Sequence, residues 1–84
     1  MTDINIGQKY PGNLQECHYY PYTTSTAIQG IYIDFNETQS KIFALDQKNI
    51  VIACQDWDDY WGNEGDYTEL GNQLESLGFE RFTF

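Results

Sequence analysis

Residues 28–54 read IQGIYIDFNETQSKIFALDQKNIVIAC, and the apolar stretches of this run decide the fold. In the first stretch, Ile31, Ile33 and Phe35 fall on one face, and Tyr32 falls on the other. Successive side chains of a strand point to opposite faces of a sheet. The alternation therefore predicts a half-buried strand.

Two more strands are predicted from the same run. Residues 41–45 form the second, and residues 50–54 are an unbroken apolar, β-branched third. Such a run is typical of a strand buried on both faces, so we expect 50–54 to be the most buried strand. The polar connections at 36–40 and 46–49 are short, which favours an antiparallel meander.

A helix is predicted over about residues 66–77. Asp66 can cap a free amide three residues on, and Glu69 can reach back to it. Gly78 is placed to end the helix in the left-handed conformation, with Phe79 making the accompanying apolar contact. The apolar stripe at helical spacing consists of Tyr67, Leu70, Leu74 and Leu77.

The two ends of the chain are predicted to add to the sheet. Ile4 and Ile6 alternate in a short edge strand or arm, and residues 14–22 form an edge strand or an extended loop because Pro21 cannot donate a ladder hydrogen bond. Residues 79–84 are predicted to be a final strand.

These elements predict one α+β domain over residues 1–84. It has an antiparallel sheet of four to five strands, with the meander at about 28–54 and one helix, at about 66–77, packed on one face. A chain of 84 residues is the size of a single domain.

The composition is strongly acidic, with thirteen Asp and Glu against four Lys and Arg and a formal net charge of −9. Phosphates repel such a surface, so we expect no direct binding to nucleic acid or to anionic lipid. A basic protein is the partner that this field attracts. No basic region followed by an apolar run opens the chain, and no apolar run approaches the roughly 18 residues of a membrane span. We therefore expect a cytoplasmic protein whose two cysteines are reduced.

The acids concentrate in residues 56–67, DWDDYWGNEGDY, within a longer interval from 49 to 80 that has no Lys or Arg. A solvated surface that keeps a small protein soluble is the ordinary interpretation. Solubility alone, however, would not interleave acids with tryptophan and tyrosine. Aromatic anchors among steering charges are typical of a protein interface. The predicted partner-binding residues are Asp56, Trp57, Asp58, Asp59, Tyr60, Trp61, Glu64, Asp66 and Glu69.

No catalytic or metal-binding motif stands out in the sequence. An EF-hand loop starting at Asp56 would put Tyr60, Trp61 and Tyr67 at positions where acids or glycine are needed, so that match fails. A different calcium site built on the acids of this stretch stays open. The chain has one histidine, His18, which we expect at the surface or in a structural role. We predict no enzyme, no catalytic residue and no cofactor.

A small, acidic, aromatic-bearing domain without catalytic residues resembles phage or mobile-element inhibitors of host defence. Anti-CRISPR, antirestriction and DNA-glycosylase inhibitor proteins share this profile, as do the immunity proteins of nuclease toxins. The resemblance is one of size and charge. It implies a non-enzymatic inhibitor that binds the basic nucleic-acid-binding surface of a nucleic-acid-binding protein or nuclease.

Two other functions use the same residues. One is a protein–protein adaptor or assembly factor whose partner has no relation to nucleic acid. The other is a small-molecule or metal-binding module with the aromatic stretch as its wall. The protein is expected to be a monomer, or a homodimer through the aromatic segment at Tyr19 and Tyr20.

Overall fold

The computed structural model describes residues 4–35, 40–57 and 68–82. Four strands pair in the order β1-β2-β3-β4, and every pairing is antiparallel. The predicted α+β fold, with a meander and a helix in the C-terminal half, is therefore confirmed. The described elements are a 3-10 helix at Leu14–Glu16, β1 at His18–Tyr20, β2 at Ile28–Asp34, β3 at Ser40–Asp46, β4 at Val51–Trp57 and α1 at Thr68–Ser76.

The most buried strand is β3, and the expectation that residues 50–54 would be is wrong. Residues 42–45 of β3 have no exposed surface, since the strand lies between β2 and β4. In β4, Ile52 and Cys54 are only half-buried. The register between β3 and β4 shifts past Ile52, so a bulge interrupts the apolar run. An apolar run indicates burial, but strand order decides which strand is central.

The sheet is covered on both faces, which corrects the prediction of a half-buried β2. Tyr32, predicted on a solvent face, is 8% exposed. The covering layer is residues 4–17, here called the N-terminal arm, which supplies the buried Ile4 and the packed Tyr10 and Leu14. Phe35, predicted to face inward, lies past the end of β2 and is 44% exposed.

Two apolar clusters result, one on each face of the sheet. The helix-side core lies between the sheet and α1, and the arm-side core lies between the sheet and the N-terminal arm. The buried members of the helix-side core are Tyr22, Ile28, Ile31, Ile33, Ile42, Ala44, Ala53, Trp57, Leu70, Leu74 and Phe82. Those of the arm-side core are Ile4, Tyr32, Phe43, Leu45 and Val51.

The end of α1 follows the sequence prediction. Gly78 has a φ of +91° and so adopts the left-handed conformation that favours glycine. The amide of Phe79 donates to the carbonyl of Leu74 at 2.9 Å, and that of Gly78 donates to Glu75 at 3.0 Å. These two bonds make a Schellman motif, and Phe79 packs against the helix-side core as expected.

The helix start and the last strand differ from the prediction. The structure begins α1 at Thr68, and the predicted cap at Asp66 and Tyr67 lies outside the described residues. The final strand predicted over 79–84 is absent from residues 79–82, and 83–84 lie outside the described part. The segment is held instead by Tyr22, whose hydroxyl donates to the carbonyl of Glu80 at 2.6 Å.

The outer edge of β4 is occupied by backbone and side-chain groups. In the N-terminal arm, the amide of Gly7 donates to the carbonyl of Val51 at 2.8 Å, and the amide of Val51 donates to Gln8 at 2.9 Å. Past the bulge, the side chain of Gln73 in α1 accepts from the amide of Cys54 at 3.0 Å and donates to its carbonyl at 2.9 Å. One side-chain amide thus replaces the neighbouring strand that Cys54 lacks.

Leu74 and Leu77 both belong to the predicted apolar stripe, so together they test how α1 is placed on the core. Both were predicted to face the core, but Leu74 has no exposed surface and Leu77 is 53% exposed. We expect Leu74→Ala to lower the free energy of unfolding by about 2–5 kcal/mol because it leaves a cavity. Leu77→Ala should change it by less than about 0.5 kcal/mol. Urea denaturation followed by circular dichroism measures both, and equal losses would contradict this placement of the helix.

Gln73 can be tested by variants that remove one or both of its hydrogen bonds. Gln73→Ala should lower the free energy of unfolding by about 1–3 kcal/mol, because two half-buried backbone groups of Cys54 lose their partners. Gln73→Glu keeps an acceptor for the amide but has no donor for the carbonyl, so we expect an intermediate loss. Ser76→Ala, at an exposed position of the same helix, is the control. If hydrogen exchange at the Cys54 amide is unchanged in Gln73→Ala, Gln73 does not protect that amide.

Candidate functional site

Three of the nine predicted partner-binding residues lie in the described part of the chain. Asp56 and Trp57 are the last two residues of β4, and Glu69 is in the first turn of α1. The remaining six lie outside the described residues: Asp58, Asp59, Tyr60, Trp61, Glu64 and Asp66. The described residues therefore show the two ends between which the rest of the stretch runs.

Asp56 is at the surface and carries an ion pair. Its side chain is 59% exposed, and its Oδ1 atom lies 3.0 Å from Nζ of Lys41. The two residues are partners in the register of β3 and β4, so the pairing is a cross-strand one. An exposed pair of this kind contributes little stability. Its larger effect is to offset the positive charge of Lys41 beside the acidic stretch.

Trp57 packs inside the domain. It is 8% exposed and belongs to the helix-side core together with Leu70 and Leu74. Burying a large aromatic ring contributes strongly to stability. The sequence alone did not predict this, because the apolar run that marks β4 breaks at Gln55 and Asp56 before the strand ends.

A second glutamine connects the end of β4 to the start of α1. Oε1 of Gln55 accepts from the amide of Leu70 at 2.6 Å, so it satisfies one of the free amides of the first helical turn. Its Nε2 donates to the carbonyl of Asp56 at 3.3 Å. With Gln73, this contact fixes α1 along β4 and brings Glu69 to the end of the strand where Asp56 lies.

The pKa of the Cys54 thiol is raised above its ordinary value. Burial raises it, and the carboxylates of Glu69 and Asp56 raise it further, while Lys41 lowers it. Both acids therefore lie within electrostatic range of one thiol. Glu69 is also exposed and sits where the helix N-terminus favours a negative charge.

A hydrogen-bonded cluster of Tyr10, Asp34 and Cys17 holds the N-terminal arm to the sheet. The Tyr10 hydroxyl donates to Oδ2 of Asp34 at 2.7 Å, and the Cys17 thiol lies 3.3 Å from that hydroxyl and donates to it. The Tyr10 ring stacks on Phe43 with a centroid distance of 4.8 Å. Sequence reasoning missed this cluster because its residues are far apart and share no motif.

This cluster does not have the character of a nucleophilic site. Burial raises the pKa of Cys17, and the neighbouring Asp34 and Glu16 also raise it, although the Tyr10 hydrogen bond lowers it. A thiol reacts as the thiolate, so a raised pKa lowers the fraction of Cys17 in the reactive form. His18 is exposed, as predicted, and its ring meets Phe35 edge-on at 4.8 Å.

The described ranges contain neither a cluster of metal-ligating side chains nor a helix that could span a membrane. Within residues 4–35, 40–57 and 68–82, no three His, Cys, Asp or Glu side chains come together as a metal site would require. In the same ranges, no helix has the length and apolar character needed to cross a bilayer.

Comparisons with protein-family models, with curated proteins and with solved structures find no match to this chain.

Tyr10 gives the cluster a testable pH dependence. Burial first, and then the contacts with Cys17 and Asp34, raise the pKa of Tyr10 above its ordinary value. In the unfolded chain the pKa is about 10. Between the two values the unfolded chain releases the proton and the folded protein keeps it. The stabilisation is therefore complete below about pH 10 and is lost as the pH rises beyond that value.

We expect Tyr10→Phe to lower the free energy of unfolding at pH 7 by about 1–3 kcal/mol, since the Asp34 carboxylate loses a donor. The variant should also lose less further stability than the wild type between pH 9 and pH 11. Urea midpoints across that range measure both effects, and Tyr19→Phe controls for the loss of a tyrosine hydroxyl. If the urea midpoints of wild type and Tyr10→Phe fall in parallel between pH 9 and pH 11, ionisation of Tyr10 does not cause the loss of stability at high pH.

Proposed function

We propose that this protein is a non-enzymatic inhibitor that binds the basic nucleic-acid-binding surface of a target protein. An anti-CRISPR or antirestriction protein of a phage or mobile element, or an immunity protein of a nuclease toxin, has this function. The observation that carries the proposal is the charge: a net −9 in 84 residues, with no Lys or Arg from 49 to 80. Such a field steers a protein toward a positive surface and away from nucleic acid.

The fold supports the proposal by anchoring both ends of the acidic stretch. Residues 58–67 follow directly on β4 and lead directly into α1. Trp57 is buried at the first end, and Leu70 is buried at the second. The glutamine contacts at Gln55 and Gln73 hold these two elements together. A stretch held at both ends loses less entropy on binding than a free tail does.

Electrostatics favours partial rather than complete mimicry of nucleic acid. Duplex DNA carries one charge per roughly 1.7 Å of axis. Carboxylates at alternate positions of a strand are about 6.6 Å apart. One extended segment cannot match DNA, so the proposal requires acids from more than one element, and Asp56 on β4 and Glu69 on α1 are its described members.

The proposed interface contains both charges and aromatic contacts. Asp56, Asp58, Asp59, Glu64, Asp66 and Glu69 supply the field. We assign the aromatic contacts to Tyr60 and Trp61, because Trp57 is buried in the helix-side core. The protein would act in the cytoplasm, where nucleic-acid-processing targets are found, and its binding would involve neither membrane nor cofactor.

The first test identifies the class of partner. The immobilised protein is incubated with a lysate of its native host, and captured proteins are challenged with duplex DNA or guide RNA. Displacement by nucleic acid supports the proposal. A partner that duplex DNA and guide RNA both fail to displace would instead favour an adaptor or assembly factor that uses the same surface.

The second test changes the charge of the stretch. Replacing Asp56, Asp58 and Asp59 together by Asn should weaken binding to the captured target by about tenfold or more, because steering charges and their contacts are lost. Binding of the wild type should also weaken as salt rises from 50 to 500 mM.

The matched control replaces Asp3 by Asn and Glu16 and Glu37 by Gln, which removes the same number of charges outside the interval 49–80. This control should retain affinity within about threefold of the wild type. Full potency of the Asn variant, with the fold intact by circular dichroism, would overturn the proposal.

A further inference from the structure

The two outer edges of the sheet differ in whether other groups cover them. At the β4 edge, the N-terminal arm bonds to Val51, and the side chain of Gln73 bonds to Cys54. At the other edge, β1 comes first in the strand order and pairs with β2 alone. An edge strand of this kind presents backbone groups on which another strand can pair.

The register shows which backbone groups of β1 face outward. Tyr19, Tyr32, Phe43 and Cys54 are partners across the four strands, and the two register shifts of the sheet lie elsewhere. In an antiparallel sheet a residue bonds to only one of its two neighbours, so bonded and non-bonded pairs alternate along such a row. The groups of Cys54 point outward to Gln73, so Phe43 bonds to Tyr32. The amide and carbonyl of Tyr19 therefore point away from β2, toward the outer edge.

The side chain of Tyr19 leaves these two groups accessible. A Cβ atom on Gly30 would overlap the Tyr19 ring, so the glycine lets the ring lie inward, over β2. There the ring centroid is 5.2 Å from that of Tyr32. Within the described residues, neither the amide nor the carbonyl of Tyr19 has a hydrogen-bond partner. The outer edge at Tyr19 is therefore open backbone.

The chain around this edge carries no charge at pH 7. Residues 17–33, which include all of β1 and most of β2, contain no Asp, Glu, Lys or Arg, although the whole chain has a net charge of −9. Proteins commonly protect an edge strand with lysine or another charge that repels a second strand. The β1 edge has no such charge, and exposed rings flank it, with Tyr19 on one face and His18 and Phe35 on the other.

We infer that the β1 edge pairs with the β1 edge of a second copy of this chain. The two strands run antiparallel about a twofold axis at Tyr19, so that each Tyr19 amide donates to the Tyr19 carbonyl of the other copy. In this register His18 lies opposite Tyr20 of the second copy. The two four-stranded sheets then form one continuous sheet of eight strands.

Charge favours a second copy over a basic partner at this edge. A basic segment is attracted by carboxylates, and residues 17–33 provide none. A second copy carries the same excess of acids, so it is repelled least where both surfaces are uncharged. The antiparallel register also separates acids, because Glu16, just before β1, falls at opposite ends of the paired segment in the two copies.

The strength of the dimer can be measured by sedimentation equilibrium over a dilution series. Because β1 has three residues, the interface is small, and we expect a weak dimer that forms at about 1 mM protein. The average mass should rise with concentration toward that of two chains. Raising the salt from about 50 to 500 mM should strengthen the dimer, because it screens the repulsion between two copies of charge −9.

Tyr19→Pro tests the backbone groups. Proline has no amide hydrogen, and an edge strand tolerates it where the amide faces solvent. The variant should keep its fold by circular dichroism and raise the dissociation constant of the dimer by about tenfold or more. Tyr19→Ala is the matched control, since it removes the ring and keeps both backbone groups. Its dissociation constant should stay within about threefold of the wild-type value.

A pair of charged variants tests the twofold axis. Tyr19→Lys and Tyr19→Glu each place like charges directly opposite each other in a dimer, so each variant alone should be monomeric. An equimolar mixture of the two places opposite charges there and should form a heterodimer. Leu77→Lys and Leu77→Glu are controls at an equally exposed position of α1, and both should dimerise like the wild type.

Three results would overturn the inference. One is a wild-type mass of one chain up to about 1 mM protein at high salt. Another is a dimer that persists in both Tyr19→Pro and Tyr19→Lys, because the contact would then lie elsewhere. The third is a mixture of Tyr19→Lys and Tyr19→Glu that stays monomeric.

The dimer does not depend on the proposed function, and salt separates the two. Binding to the target should weaken as salt rises, whereas the dimer should strengthen. A monomeric wild type that still binds its target would remove the dimer and leave the function. A dimer together with full potency of the Asp56, Asp58 and Asp59 variant would remove the function and leave the dimer.

Discussion

The arrangement of this domain depends on one side-chain amide, that of Gln73, which bonds to both backbone groups of Cys54. An edge strand presents unpaired amides and carbonyls that can pair with another chain. Here β4 is an outer strand, and at Cys54 the helix itself supplies the missing partner. Because the amide has one acceptor and one donor, it also fixes the distance and direction of α1 relative to the strand. The packing of Leu70 and Leu74 on the helix-side core follows from this geometry.

The position of Gln73 depends in turn on the bulge in β4. The register shifts past Ile52, so Val51 and Cys54 both direct their backbone groups to the outer edge of the strand. Without the extra residue, the strand period of two would turn the groups of Ala53 outward instead. Val51 then pairs with the N-terminal arm and Cys54 with the helix. One inserted residue thus lets β4 bind a layer on each face of the sheet.

Local patterns in the sequence predicted local structure well. Gly78 and Phe79 identified the end of α1, and the alternation around Ile31 and Ile33 identified β2, because both features depend on residues close in the chain. The errors concern long-range contacts. Tyr32 was assigned to solvent because nothing in β2 shows that the N-terminal arm returns over it.

The candidate site could be predicted only in part, and for the same reason. Its acidic and aromatic composition is visible in the sequence, and so are the boundaries of the stretch. The burial of Trp57 is not, because Gln55 and Asp56 interrupt the apolar pattern before it. Glutamines such as Gln55 and Gln73 are ordinary on a surface, and no sequence pattern distinguishes one that satisfies a backbone group. The Tyr10–Asp34 bond joins residues 24 apart, so it too depends on the fold.

The domain tolerates its high net charge because its core consists of uncharged side chains, at least in the described residues. In the described residues, no charged side chain is fully buried, so the acids keep their hydration. The interior instead uses tyrosine, and Tyr10, Tyr22 and Tyr32 each place a ring in or against a core while the hydroxyl finds a partner. Self-repulsion at the surface is then opposed by two apolar layers rather than one. A small protein can bear this excess of negative charge if its core does not depend on ion pairs. Among the described acids, Asp34 and Asp46 are the half-buried ones, and their carboxylates accept hydrogen bonds that hold the fold. The other described acids are exposed at the surface.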